Sequence, residues 1–246
     1  RWPDEHGFVQ PPDVFIPLAE YSGLIIPMGA WVLEQACAQH ARLTAAGFAA
    51  LKMAVNVSVL QFRRANFVEQ VAHTLAQRQM PPDLLELEIT ESIAMDEPRV
   101  VLDSLDALKR LGVLIAIDDF GTGYSSLGHL QSLPIDCLKI DRVFVKEIKP
   151  GEGGMLAETI VQLSEKLGVT SVAEGVETPE QAEFLPGLGC RVAQGYLYAP
   201  AMPANRLVAW LRDQDDARRA NEIAGTFVSS FMPSAPSAHR TRPAEV

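Results

Sequence analysis

Cysteine is scarce. Cys37, Cys137 and Cys190 are the only three in 246 residues, and no two form a CxxC pair. Their number and spacing exclude a disulfide framework and a thiolate zinc site, and they fit a reducing cytoplasm, the location expected for this chain. Long apolar runs are also lacking. The longest, Gly23 to Leu33, is broken by Pro27, and no charged start followed by an apolar region opens the sequence, so neither a membrane span nor an export signal is expected. Positive charge is in short supply: 21 Lys and Arg face 31 Asp and Glu, a formal net charge of -10. Such a surface repels polyanions and excludes bulk DNA or RNA as a partner, so a phosphate-bearing substrate needs a local cation to draw it in. Neither a P-loop nor the GxGxxG spacing is present, because the glycines of "GTG" at Gly121 and Gly123 stand alone. The five histidines (6, 40, 73, 129 and 239) show no ligand spacing.

What is present is alternation. From Met53 onward, short apolar segments at Met53 to Asn56, Leu85 to Ile89, Val113 to Ile117, Cys137 to Ile140, Ser171 to Ala173 and Arg191 to Ala193 read as strands. Between and after them, segments of helical period run over Phe67 to Gln77, Arg99 to Leu111, Met155 to Leu167, Pro179 to Leu188 and Ala204 to Asp213. Gly112, Gly168 and Gly189 stand where left-handed cap residues are expected. Six βα units of this kind specify a parallel sheet, either doubly wound or closed into a barrel.

The strand ends favour the barrel. Each finishes on a polar group: Asn56, Glu88, Asp118 with Asp119, Lys139 with Asp141, Glu174, and Gln194. An open sheet concentrates chemistry at one switch point, whereas a (β/α)8 barrel brings every strand end to one rim. The region before Met53 reads as helix over Pro17 to Tyr21 and Trp31 to Ala46, and Pro3, Pro11 and Pro12 argue against a central strand before Val14. A ring of eight therefore lacks its first two strands, and the chain is expected to be truncated at its front. Residues 213–246 read as a helix end followed by a disordered tail, leaving 1–212 as one domain.

Asn56, Glu88, Asp118, Asp119 and Glu174 on one rim are oxygen donors, four of them anionic. Their mutual repulsion calls for a cation, and an oxygen-only set favours hard ions, Mg²⁺ or Mn²⁺. The adjacent Asp118 and Asp119 suit a pair of ions, one carboxylate bridging both, which is an arrangement for phosphodiester hydrolysis. Lys139 is the one cation at this rim. It either orients water and balances charge, or forms a Schiff base as in a barrel aldolase; four neighbouring carboxylates raise its pKa and favour the first. Taken singly, each strand-end acid also has a plain reading as a helix cap or solvated loop residue, and Glu91 in "LEITES" as the cap of the helix that follows.

The segments "NVSVLQF", "ELEITES", "AIDDFGTGYSSL", "LPIDCLKIDRVFV", "AEGVET" and "AQGYLYAPAMP", in this order, resemble the EAL domain, the bacterial cyclic di-GMP phosphodiesterase family, and "FIPLAEYSGLI" is similar to its early helical region. The resemblance covers residues 1–212. It implies a TIM-like barrel with one antiparallel strand, and hydrolysis of cyclic di-GMP to linear pGpG with Mg²⁺ or Mn²⁺. It further implies Asn56, Glu88, Asp118, Asp119 and Glu174 as metal ligands, with Asp118 between the ions. Catalytic roles fall to Glu174, which also holds the water, to Lys139, which positions the nucleophile, and to Asp119. Arg1, Asp141, Glu177 and Gln194 would meet substrate or support the site, and Glu91 would hold the "DDFGTG" loop, through which such domains dimerise. A homodimer and an upstream sensory or GGDEF-type domain are the implied partners. The departure from the family is at the start, where Arg1 and Trp2 stand without the Glu-Ala-Leu segment and its metal-binding glutamate. A catalytically inactive receptor for the nucleotide or for a protein partner is the alternative function, and a metal-dependent lyase or aldolase a distant third.

Overall fold

The structure, a computed structural model, describes residues 2–3, 9–91, 98–123, 127–149 and 153–216. The described residues fall into two units, one up to residue 201 and one from 202 onward. The first opens with a short antiparallel pair, β1 (Trp2–Pro3) and β2 (Val9–Gln10). Two helices follow, α1 (Pro12–Ser22) and α2 (Ile25–Ala45). Pro12 sits at the start of α1, where its missing N–H costs nothing. Both helices begin earlier than their apolar period suggested.

The body of this unit is β3 (Met53–Asn56), α3 (Val59–Phe62), α4 (Phe67–Arg78), β4 (Leu85–Thr90), α5 (Pro98–Leu111), β5 (Leu114–Phe120), α6 (Leu127–Leu130), β6 (Cys137–Ile140), α7 (Arg142–Lys146), α8 (Met155–Leu167), β7 (Thr170–Ala173), α9 (Pro179–Gly187) and β8 (Val192–Ala193). In the second unit, residues 204–216 are helical. Arg1 and the tail from 217 onward lie outside the described residues.

The six strands from β3 to β8 form one sheet in sequential order, with every neighbouring pair parallel. A doubly wound sheet would reverse its order at a switch point, so unbroken succession is the order of a barrel, and the sheet is a curled half-barrel clothed in helices. The antiparallel strand expected within the barrel is not among these six; β1 and β2, which are antiparallel, form a sheet of their own.

Alternation along the strands separates two faces. Leu85, Leu87, Ile89, Ile115, Ile117, Leu138 and Ile140, all at 0% exposure, point towards the helices and make the core. Cross-strand partners share a face, so the opposite, inner face carries Asn56 beside Glu88, Thr90 beside Asp118, and Cys137 with Lys139. All three cysteines are buried free thiols. Gly112 (φ 91°), Gly168 (φ 72°) and Gly189 (φ 99°) take the left-handed conformation expected after three helices. Among the described residues no helix is long and apolar enough to cross a membrane.

Candidate functional site

Lys139 is the centre of the inner face. Only 5% exposed, its Nζ lies 2.7 Å from Glu88 Oε1, 2.9 Å from Asp118 Oδ1 and 2.6 Å from Glu174 Oε1. Burial alone would lower its pKa, but the charge of Glu88, the bonds to Glu174 and Glu88 and the charge of Asp118 outweigh it and hold the ammonium above the ordinary lysine range. A free amine is therefore disfavoured, and with it the Schiff-base reading.

Each carboxylate is oriented by a neighbour. Asn56 Nδ2 donates to Glu88 Oε2 at 2.8 Å, across the β3–β4 register that makes these residues partners. Gln194 Nε2 donates to Glu174 Oε1 at 2.6 Å, joining the ends of β7 and β8. Burial raises the Glu174 pKa despite the opposing bond to Lys139.

Asp118 and Asp119 correct the expected strand boundary. The strand does not stop at Ile117; β5 continues to Phe120 and contains both acids. In regular β structure they would face opposite sides of the sheet. Here Ile117 pairs with Leu138 and Phe120 with Ile140, so three steps on β5 oppose two on β6, which is a bulge. Asp119 adopts φ 53°, in the left-handed region that Asp tolerates better than most residues. The bulge turns the second carboxylate back towards the first. As a result Asp118, Asp119 and Glu174 each place an oxygen within 4.8 Å of the others, a spacing that a divalent cation spans. The donors are all oxygen, which fits a hard cation. Although Asp119 remains exposed, partial desolvation, a hydrogen bond with Asp141 and the charges of Asp118 and Asp141 push its pKa up to about 6.

The other expected residues divide. Asp141 meets Asp119 and also caps α7, accepting from the Val143 N–H at 2.7 Å. Glu177 stands apart, 3.8 Å from Lys146 and about half exposed. Glu91 is 4% exposed and its Oε2 accepts from Gly121 N at 3.0 Å and Gly123 N at 3.3 Å, so it holds the segment after β5. Arg1 lies outside the described residues. Sequence reasoning missed Ser58, whose Oγ donates to Glu20 Oε1 at 2.6 Å beside Asn56. The Ser-x-x-Gln of "SVLQ", a capping-box pattern, was the available signal.

A family model for the EAL domain matches residues 1–201. The chain is 45% identical over 211 residues to the bifunctional diguanylate cyclase/cyclic di-GMP phosphodiesterase MucR of Pseudomonas aeruginosa, covering 85% of this chain and 31% of that protein. It is 41% identical over 213 residues to the cyclic di-GMP phosphodiesterase NbdA of the same organism, covering 86% of this chain and 27% of that one. The chain thus spans about a third or less of these curated relatives. A solved c-di-GMP complex of the PaMucR phosphodiesterase superposes with a TM-score of 0.79 at 45% identity, covering 84% of each chain. From a family match over residues 1–201 of 246, this chain belongs to the EAL domain family.

Proposed function

We propose that this domain hydrolyses cyclic di-GMP to linear pGpG with Mg²⁺ or Mn²⁺. The observation that carries the reading is the Lys139-centred set of Glu88, Asp118 and Glu174 at the rim of a curled parallel sheet, in a chain 45% identical to a phosphodiesterase solved with c-di-GMP. Asn56, Glu88, Asp118, Asp119 and Glu174 would hold the cations, whose chemistry is to lower the pKa of a bound water and to neutralise the phosphate. Asn56 donates its Nδ2 to Glu88, which leaves its oxygen for a cation. Glu174, held by Gln194 and Lys139, would take a proton from an attacking water. The Lys139 ammonium keeps this acidic pocket compatible with an anionic substrate. Asp141 steadies Asp119, and Glu177, Gln194 and Arg1 are assigned to the substrate side.

The domain reading runs over residues 1–212, in a cytoplasmic protein that acts as a homodimer and carries sensory or cyclase modules upstream, in keeping with the greater length and bifunctional character of MucR. The test is to incubate the chain with cyclic di-GMP and Mn²⁺ and to follow pGpG by chromatography, with Asp118→Asn as the control. Turnover that disappears in Asp118→Asn supports the reading. Nucleotide binding without turnover favours an inactive receptor, and neither binding nor turnover overturns the assignment.

A further inference from the structure

Asn56 is the last residue of β3, and among the described residues the ladder joins it to β4. Asn56 is itself exposed. A cation ligand at the last residue of a four-residue strand depends on how the chain beyond it is anchored, because a donor displaced by even a fraction of an ångström is lost from a coordination sphere. The anchor is the turn that follows. Val57 N donates to the Glu88 carbonyl at 2.9 Å, and Ser58 then caps α3. Ser58 Oγ accepts from Leu60 N at 3.4 Å and donates to Glu20 Oε1 at 2.6 Å, while Ser58 N donates to Gln61 Oε1 at 3.2 Å.

Beyond its own segment the turn meets the helical hairpin twice, at Glu20, 38 residues from Ser58 in sequence, and at Gly29. Glu20 is on α1 and half-buried. Gln61, 7% exposed, lies against α2 at Gly29, where a Cβ would stand 2.2 to 2.5 Å from its amide atoms. The only side chain that leaves Gln61 in place there is hydrogen. The hairpin therefore grips the β3–α3 turn twice, once by a short hydrogen bond to a carboxylate and once by a contact with no room for a methyl group.

We infer that Glu20, acting through Ser58, is a positioning residue for the Asn56 ligand, so that the α1–α2 hairpin sets how well the site holds its divalent cation. This rests on the proposed role of Asn56 as a ligand. It links "FIPLAEYSGLI" with "NVSVLQF" in one function, since the first segment supplies the acceptor and the second supplies both the donor and the ligand.

The test is Mn²⁺ binding to the metal-free protein, measured by calorimetric titration alongside the melting temperature without metal. Glu20→Ala and Ser58→Ala should each weaken Mn²⁺ about 10-fold, the lower end of what losing a partner that orients a ligand costs. The double variant should be no weaker than Ser58→Ala alone, because both changes remove the same bond and only Ser58→Ala also removes the α3 cap. Glu20→Gln, whose amide oxygen still accepts from Ser58, should bind within about 2-fold of wild type, well short of that 10-fold loss. If Glu20→Ala does not fold at the titration temperature, Ser58→Ala carries the same comparison, its loss of the α3 cap being read separately in the melting temperature. Wild-type affinity in the alanine variants, with or without a lower melting temperature, overturns the inference alone. A wild-type protein that takes up no Mn²⁺ overturns the ligand assignment of Asn56 and the inference with it.

Discussion

Replacing Lys139 with methionine keeps the length and apolar stem of the side chain and removes its charge. The ammonium lies 2.6 to 2.9 Å from three carboxylates, and the side chains of Lys139, Glu88, Asp118 and Glu174 are 6%, 8%, 13% and 16% exposed. Each contact is worth a gross Coulomb attraction of about 6 kcal/mol at an effective dielectric constant of ~20, most of it cancelled by desolvation. The net loss is better taken from buried pairs stripped of one partner, about 3–5 kcal/mol, because the remaining charge is left in a poor solvent. In a domain of this size each kcal/mol moves the melting temperature by about 2–4 °C, so the metal-free variant should melt roughly 6–20 °C lower at pH 7. The sign follows from linkage. The Lys139 pKa is raised on folding, so its stabilisation is complete below the ordinary lysine pKa of about 10.4 and disappears only as pH climbs through the raised value. Mn²⁺ should shrink the deficit of the variant, since a cation among the carboxylates supplies the charge that lysine no longer does. Thermal unfolding followed by circular dichroism, in chelator and in Mn²⁺, reads both effects. Equal stability of variant and wild type in chelator at pH 7, or a deficit untouched by Mn²⁺, would refute the central place given to Lys139.

Glu174→Gln should lower turnover by at least ~10², the scale of a lost acid–base or electrostatic group, while cyclic di-GMP binding in Ca²⁺ survives; a parallel loss of binding and turnover would move Glu174 to substrate support. Asp119 binds its proton up to a pKa of about 6 in the folded chain, so metal-free stability should fall as pH rises from about 4 through 6, while Mn²⁺ affinity rises over the same range. Titrations at pH 5 and 7 check this, and a pH-independent affinity would remove Asp119 from the ligand set. Glu91→Ala leaves the Gly121 and Gly123 N–H groups without that acceptor and should cost about 2–4 kcal/mol, summing roughly 1–2 kcal/mol for each bond. Amide exchange should then accelerate at Gly121 and Gly123; unchanged protection there would show that Glu91 does not hold this segment.

The order of elements and the acids at their ends were legible in the amino-acid sequence, because both are local. A short strand-like run that carries Asn56, Glu88, Asp118 or Glu174 at or near its end is visible without knowing its neighbours, and sequential parallel pairing then carries those ends to one rim. Three features depended on contacts between distant segments. The end of β5 was misread because a bulge is defined by the partner strand, and only pairing with β6 shows that Asp118 and Asp119 lie within the strand and turn to one side. The raised pKa of Lys139 was expected from the acids at its rim, but its depth among three carboxylates is a sum over β4, β5 and the end of β7 that no single stretch contains. The Glu20–Ser58 bond joins a helix to a strand end across 38 residues, and a side-chain hydrogen bond of that span leaves no periodic trace, since nothing in the spacing of either segment changes with its presence. Local periodicity determined what the pieces of this protein are; the distances at which their side chains act were decided only when the chain closed on itself.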